Sequence, residues 1–232
     1  MSRGIVLVHG ACHGPWCWEK VAPLLEQRGF AVETPDLYKG PHPTDPGVVQ
    51  DAVDRLGRDG PVVVCGHSFG GYAITRLDPT NVAHLVYLAA ILPDHEQWYT
   101  ELPTDPSFFE RVSIVDGVMT IKPECARELF YADCDDADIE RAIAQLCPHP
   151  MDGAGLVIER PAWRAVPTTY VRCADDNTLT PTYQQAAIER VGNGVTWPTS
   201  HSPFYSRPEL VADLLSDIAA SALGDAPSPA PG

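Results

Sequence analysis

Positive charge is scarce in this sequence. Sixteen Lys and Arg stand against 31 Asp and Glu among 232 residues, a formal net charge of −15. Such a surface is repelled by phosphate backbones and anionic lipid, so neither nucleic acid nor membrane is expected as a partner. Long apolar runs are missing too. The longest, such as residues 85–92, fall far short of the roughly 20 residues that a spanning helix needs. A strand-like run already opens at Gly4 with no apolar leader before it, so secretion is not expected. The seven cysteines are an odd number, which suits a reducing cytoplasm better than a disulfide framework. What remains is a globular composition, 44% hydrophobic and 20% charged, in a chain long enough to bury a sizeable core.

The order of apolar runs gives the fold class. Continuous β-branched stretches at residues 4–8, 61–65, 85–92 and 168–173 read as strands buried on both faces, with shorter strands at 31–34 and 195–197. Helical spacing fills the gaps at 18–27, 48–56 and 182–191 and continues at 208–222, with Gly29 as a stop. A short helix is expected after residue 71, broken by Asp78-Pro79. Strands alternating with helices predict an α/β protein around a mostly parallel sheet. Between residues 94 and 164 the buried strand runs vanish and helical spacing appears at 123–130 and 137–146. That segment reads as an inserted helical cap, leaving residues 1–93 and 165–223 as the core. The Pro-, Ala- and Gly-rich residues 224–232 read as a disordered tail.

The sharpest motif is Gly66-His67-Ser68-Phe69-Gly70, a G-x-S-x-G between a buried strand and a helix. A serine on that turn projects Oγ above the sheet, while the glycines let neighbouring backbone approach. Without the flanking elements, the same five residues would be an ordinary Gly-rich turn. Serine is a weak nucleophile and needs a base held by an orienting acid. Two later strand ends offer them: Ala174-Asp175-Asp176-Asn177 and Thr199-Ser200-His201-Ser202. Spacing leaves Asp175 and Asp176 equally open. Alone, either acid would read as a helix cap and His201 as a loop histidine. After the first strand comes His9-Gly10-Ala11-Cys12-His13-Gly14, where the Ala11 and Phe69 backbone N–H groups could form an oxyanion hole. His9 is expected to be structural and His67 packed, and His13 either lines a pocket or caps a turn.

These residues, with His9 to Trp18, Leu85-Val86-Tyr87-Leu88-Ala89-Ala90 and Ser206-Arg207-Pro208-Glu209-Leu210, resemble the α/β-hydrolase superfamily across nearly the whole chain. More narrowly they are similar to the branch of plant methylesterases, the salicylate-binding esterase, hydroxynitrile lyases and bacterial relatives. The resemblance implies an α/β-hydrolase fold and favours Asp176, the second acid of its loop, as the triad acid. Two positions depart from the lyases, which carry threonine where Gly10 stands and lysine where Ser202 stands. That lysine helps to hold the cyanide leaving group, so ester hydrolysis ranks ahead of lyase chemistry. Ser68 speaks against the aspartate-nucleophile epoxide hydrolases and dehalogenases.

The expected protein is therefore a serine hydrolase of small or medium-sized, largely apolar esters, with Ser68, His201 and Asp176 as triad. A lyase or lactone-opening enzyme using the same pocket is the alternative, and a small-molecule binding protein with little turnover is the second. Cys12, His13, Trp98, Phe108, Phe109 and Tyr131 are the candidate substrate contacts. No cofactor is expected. Cys125, Cys134, Cys147 and His149 form no CxxC, which argues against a metal. A homodimer is compatible with the sequence.

Overall fold

The structure, a computed structural model, describes residues 3–97, 103–151 and 158–222. The chain begins with β1 (Arg3–Val8), α1 (Val21–Gln27), β2 (Phe30–Glu33), α2 (Gly47–Leu56), β3 (Val62–His67), α3 (Gly70–Thr75) and β4 (Val82–Leu88). The helix expected over residues 18–27 is split: Pro15–Trp18 forms a 3₁₀ turn, and the α-helix starts only at Val21. The strand expected over residues 85–92 instead spans Val82–Leu88. Ala89 follows with φ +42°, a left-handed conformation that ends strand geometry.

Residues between β4 and β8 contain α4 (Pro123–Phe130) and α5 (Asp136–Ile143), where helical spacing predicted them. They also contain a small antiparallel sheet that was not expected, made of β5 (Val112–Val115), β6 (Val118–Ile121) and β7 (His149–Pro150). The return to the main sheet runs through β8 (Thr168–Cys173), α6 (Pro181–Val191), β9 (Gly194–Trp197), α7 (Pro203–Ser206) and α8 (Pro208–Ala222). No helix among the described residues is long and apolar enough to cross a membrane.

The six-stranded sheet has the order β2-β1-β3-β4-β8-β9, and every neighbouring pair is parallel. Alternation along each strand divides the core between its two faces. Ile5, Leu7, Val63, Cys65, Val86 and Leu88 pack with residues of α1 and α8. Val6, Val8, Val62, Val64, Leu85 and Tyr87 pack with residues of α2, α3 and α6. Because all strands point the same way, the loops after β1, β3, β8 and β9 emerge at one edge, where α/β sheets place their ligands.

The insertion is tied down at its neck. Asp94, 2% exposed, accepts two hydrogen bonds from the Arg164 guanidinium and two from that of Arg190 on α6. Burial alone would raise its carboxyl, but the bonds from Arg164, His95 and Arg190 outweigh it and hold the group well below the usual carboxylate range. Lys20 pairs with Asp138 of α5 and Glu19 with Arg141 of the same helix, a second link between insertion and core.

Candidate active site

Ser68 follows the last residue of β3 and has φ +50°. A non-glycine residue in that left-handed region is strained by roughly 1–2 kcal/mol, so the surrounding turn must hold it. The Ser68 N–H donates to the Leu88 carbonyl at 3.2 Å, and its own carbonyl accepts from Gly71 at 3.1 Å and Ile91 at 2.9 Å. The turn closes only because its neighbours lack side chains. A Cβ on Gly71 would lie 1.9 Å from the Ile91 carbonyl oxygen, and one on Gly70 would lie 2.6 Å from that of His9.

The Ser68 hydroxyl oxygen is 3.0 Å from His201 Nε2, and His201 Nδ1 is 2.8 Å from Asp176 Oδ2. A carboxylate only accepts, so Nδ1 carries the hydrogen and Nε2 presents its lone pair to the serine. Asp176 is held in turn by the Thr178 N–H at 2.7 Å, the Leu179 N–H at 3.1 Å and Gln184 Nε2 at 3.1 Å. Spacing left two acids open; Asp176 is buried in this line and Asp175 is exposed. His67 is packed: Nε2–H donates to the His201 carbonyl at 2.9 Å, and the two rings lie 4.6 Å apart. Burial pushes its pKa well below the ordinary histidine value, so the ring is neutral.

The Ala11 and Phe69 backbone N–H groups donate to no acceptor among the described residues. The peptide carrying the Ala11 N–H is oriented by His9, whose Nδ1–H donates to the Gly10 carbonyl at 2.9 Å while Nε2 accepts from Leu37 N–H at 3.0 Å. His9 is thus structural. Gly10 brings this loop against the elbow, since a Cβ there would sit 2.8 Å from Ser68 Cβ.

A cavity of about 230 Å³ opens over Ser68. His13, Phe108 and Phe109, expected as substrate contacts, line it, and so do Ala11 and Phe69. Cys12 and Tyr131 do not, which corrects their assignment as substrate contacts. Cys12 has φ +60° and is fully buried, and burial pushes its thiol up to about 12. Tyr131 is fully buried, its hydroxyl 2.7 Å from His13 Nε2 and its ring behind that of Phe130. Trp98 lies outside the described residues. Sequence reasoning missed Met119, Phe130 and Met151, whose face depends on how the segment between β4 and β8 folds back, and Leu179, which the loop after β8 turns into the wall. No group of three or more His, Cys, Asp or Glu among the described residues could hold a metal ion.

Known proteins resemble this chain over nearly its whole length. Methylesterase 2 of Arabidopsis thaliana is 28% identical over 262 residues, covering 94% of this chain and 96% of that protein. A pyrethroid hydrolase of Sphingobium wenxiniae is 30% identical over 253 residues, covering 93% of this chain and 87% of its own length. The crystal structure of a pyrethroid hydrolase, PytH, superposes with a TM-score of 0.81 at 27% identity, covering 96% and 99% of the two chains. That of polyneuridine aldehyde esterase superposes at 0.79 and 24% identity over 94% and 100%, a likeness of fold. A profile of the alpha/beta hydrolase family matches residues 5–214, and the chain belongs to that family.

Proposed function

We propose that this protein hydrolyses small or medium-sized, uncharged, largely apolar carboxylic esters, with Ser68 as nucleophile, His201 as base and Asp176 as its orienting acid. The observation that carries this reading is the continuous hydrogen-bonded line from Asp176 through His201 to Ser68, ending at the floor of an apolar cavity. Ser68 Oγ attacks the ester carbonyl while His201 Nε2 takes its proton, and Asp176 stabilises the imidazolium. The tetrahedral oxyanion accepts from the Ala11 and Phe69 N–H groups. Its collapse expels the alcohol, which takes the proton back from His201 and leaves an acyl-Ser68. Water, deprotonated by His201, then cleaves this acyl-enzyme to the carboxylic acid and free serine.

The preference for uncharged substrates follows from the cavity. None of its described lining residues is Lys, Arg, Asp or Glu, and residues 98–102 and 152–157 contain no Lys, Arg or His. Burial pushes His13 down to about 3 and His67 far below its ordinary value, so neither supplies a cation near neutral pH. A charged group would lose its hydration there without a partner. The esterase names of the relatives agree with this reading. Lyase chemistry is disfavoured because Gly10 offers no hydroxyl beside Ser68 and because Ser202, fully buried, brings no charge. The odd count of seven cysteines agrees with a reducing cytoplasm as the working compartment.

The test is labelling with a fluorophosphonate probe, with Ser68→Ala and His201→Ala as controls, followed by a panel of methyl and aryl esters. Labelling of the wild type alone, with turnover of neutral esters, is expected. Equal labelling of Ser68→Ala would remove the nucleophile assignment, and tight binding of an ester without turnover would favour a binding protein.

A further inference from the structure

Tyr131 lies at the end of α4, fully buried and outside the cavity wall. Its hydroxyl is 2.7 Å from His13 Nε2, and His13 Nδ1 is 2.8 Å from the Ala11 carbonyl oxygen. The carbonyl can only accept, so Nδ1 carries the hydrogen, Nε2 is left with its lone pair, and the Tyr131 O–H must be the donor. The direction of this chain is fixed, because desolvation keeps the buried His13 ring neutral despite the opposing pull of the Ala11 carbonyl. The ring has little room to turn: it stacks on Trp16 at 5.3 Å between centroids and meets Phe130 edge-on at 5.2 Å.

The peptide held by His13 is also held on its other edge, where the Cys12 N–H donates to the Tyr38 hydroxyl at 2.9 Å. Its plane is therefore gripped from two sides, by a side chain from the insertion acting through His13 and by one from the loop after β2. The N–H immediately before it, that of Ala11, has no acceptor among the described residues. The two peptides meet at the Ala11 Cα, the earlier held by His9 and the later by His13 and Tyr38, so a displacement of the later one that carries this Cα with it also shifts the Ala11 N–H.

We propose that Tyr131 and His13 are positioning residues for the oxyanion site: Tyr131 O–H fixes the His13 ring, and His13 Nδ1–H fixes the Ala11 carbonyl so that the Ala11 N–H points at the developing oxyanion. This rests on the hydrolase reading above and extends it. The insertion then does more than roof the cavity. Its docking through Tyr131 completes the donor set that the transition state needs, and an insertion displaced from the core would leave a serine with a base and a poorly aligned oxyanion site.

The test compares wild type, Tyr131→Phe, His13→Asn and His13→Ala on a neutral ester that the wild type turns over. An arylboronic acid serves beside it as a tetrahedral mimic that bonds Ser68 and places an oxygen in the oxyanion site. Tyr131→Phe is expected to lower kcat by about tenfold, since a donor is misaligned rather than removed, and to weaken the boronic acid Ki by the same factor. KM should stay within about twofold and the midpoint of the pH profile should not move, a pattern that binding and base chemistry left intact require. His13→Asn, whose amide N–H can reach the Ala11 carbonyl, should retain more activity than His13→Ala. Loss of stability alone would lower the active fraction but leave the Ki of the remaining sites unchanged. Wild-type kcat and Ki in Tyr131→Phe, or no advantage of asparagine over alanine, overturns the proposal while leaving the hydrolase reading in place. A wild type that neither turns over esters nor binds the boronic acid through Ser68 removes both.

Discussion

The ring of Phe130 lies over the imidazole of His201, with centroids 5.7 Å apart and planes 29° from parallel. Phe130 comes from the insertion and His201 from the core, and the same phenyl group forms part of the cavity wall. It excludes water from one face of the base and offers apolar surface to a substrate. Phe130→Ala is therefore expected to raise KM by about tenfold, the range of a lost apolar contact in a substrate pocket, with kcat falling less. Steady-state kinetics on a neutral ester check this, and Phe130→Leu should recover most of the KM. An unchanged KM in the alanine variant would put the substrate elsewhere in the cavity.

Ser68→Ala should lower kcat by about 10⁴-fold or more, and Asp176→Asn by about 10⁴-fold, by analogy with serine protease triads. Asp175→Asn should leave kcat within about twofold, because its side chain is exposed and takes no part in the line to His201. Parallel kinetics on the three variants decide between the adjacent acids: a deficit in Asp175→Asn matching that of Asp176→Asn would reverse the assignment.

A cavity with no Lys or Arg among its described lining residues should reject a charged substrate. An ester carrying a free carboxylate in its acyl or alcohol part should show kcat/KM lower by about 100-fold or more than its methyl-capped counterpart. The same argument makes the product acid a poor inhibitor at neutral pH. Measuring kcat/KM on one matched pair suffices, and equal values would mean that a cationic group reaches the substrate.

His149 provides a pH test of the packing around the site. Its Nδ1 lies 2.9 Å from the Tyr38 hydroxyl and its ring 4.3 Å from that of Phe69. Burial pushes its pKa down to about 4, with His9 adding to the effect. Between that value and about 6.5, where a histidine in an unfolded chain titrates, the unfolded state binds a proton that the folded state does not. This contribution to stability is complete above about pH 6.5 and declines by about 1.4 kcal/mol per pH unit as pH falls. Urea unfolding at pH 7 and pH 5 should therefore show the wild type losing about 2 kcal/mol more than His149→Asn. Equal losses would show that folded His149 accepts its proton freely.

Gly71→Ala should be more damaging than any surface change, because its Cβ would fall 1.9 Å from the Ile91 carbonyl oxygen. Backbone cannot swing aside as a side chain end can, so a loss of about 3 kcal/mol is expected. Thermal unfolding of the variant checks it. A stability within about 0.5 kcal/mol of wild type, the range of a surface substitution, would mean that the turn and the loop after β4 separate easily.

The strands and helices of the core were legible because each buries a continuous or periodic apolar face, and the serine turn because a strand and a helix flank its glycines. Boundaries failed where backbone conformation, invisible in composition, intervened, as at Ala89 with its left-handed φ. The β5-β6-β7 sheet was missed because three of the four residues of β5 are exposed, leaving no buried run to read. Asp176 could not be told from Asp175 by spacing, since adjacent residues differ only in which one turns inward. Tyr131 was expected at the substrate because a roof over the serine must turn some of its aromatics towards the ligand, although most such rings pack as core. Here its hydroxyl is taken by His13, and the hydrogen bond holds the ring behind the wall.

Asp94 and Arg164 stand 70 positions apart in the chain and are joined by two hydrogen bonds. Everything between them leaves and re-enters the core through one charged doorway. Closing a loop of that length costs conformational entropy that grows only slowly with further residues, and the clamp meets this cost whatever lies inside. Length and sequence within the loop can therefore change at positions away from Phe130 and Tyr131, the residues that reach the serine edge, while that edge stays intact. New substrate preferences can arise there by exchanging the contents of the doorway without rebuilding the sheet.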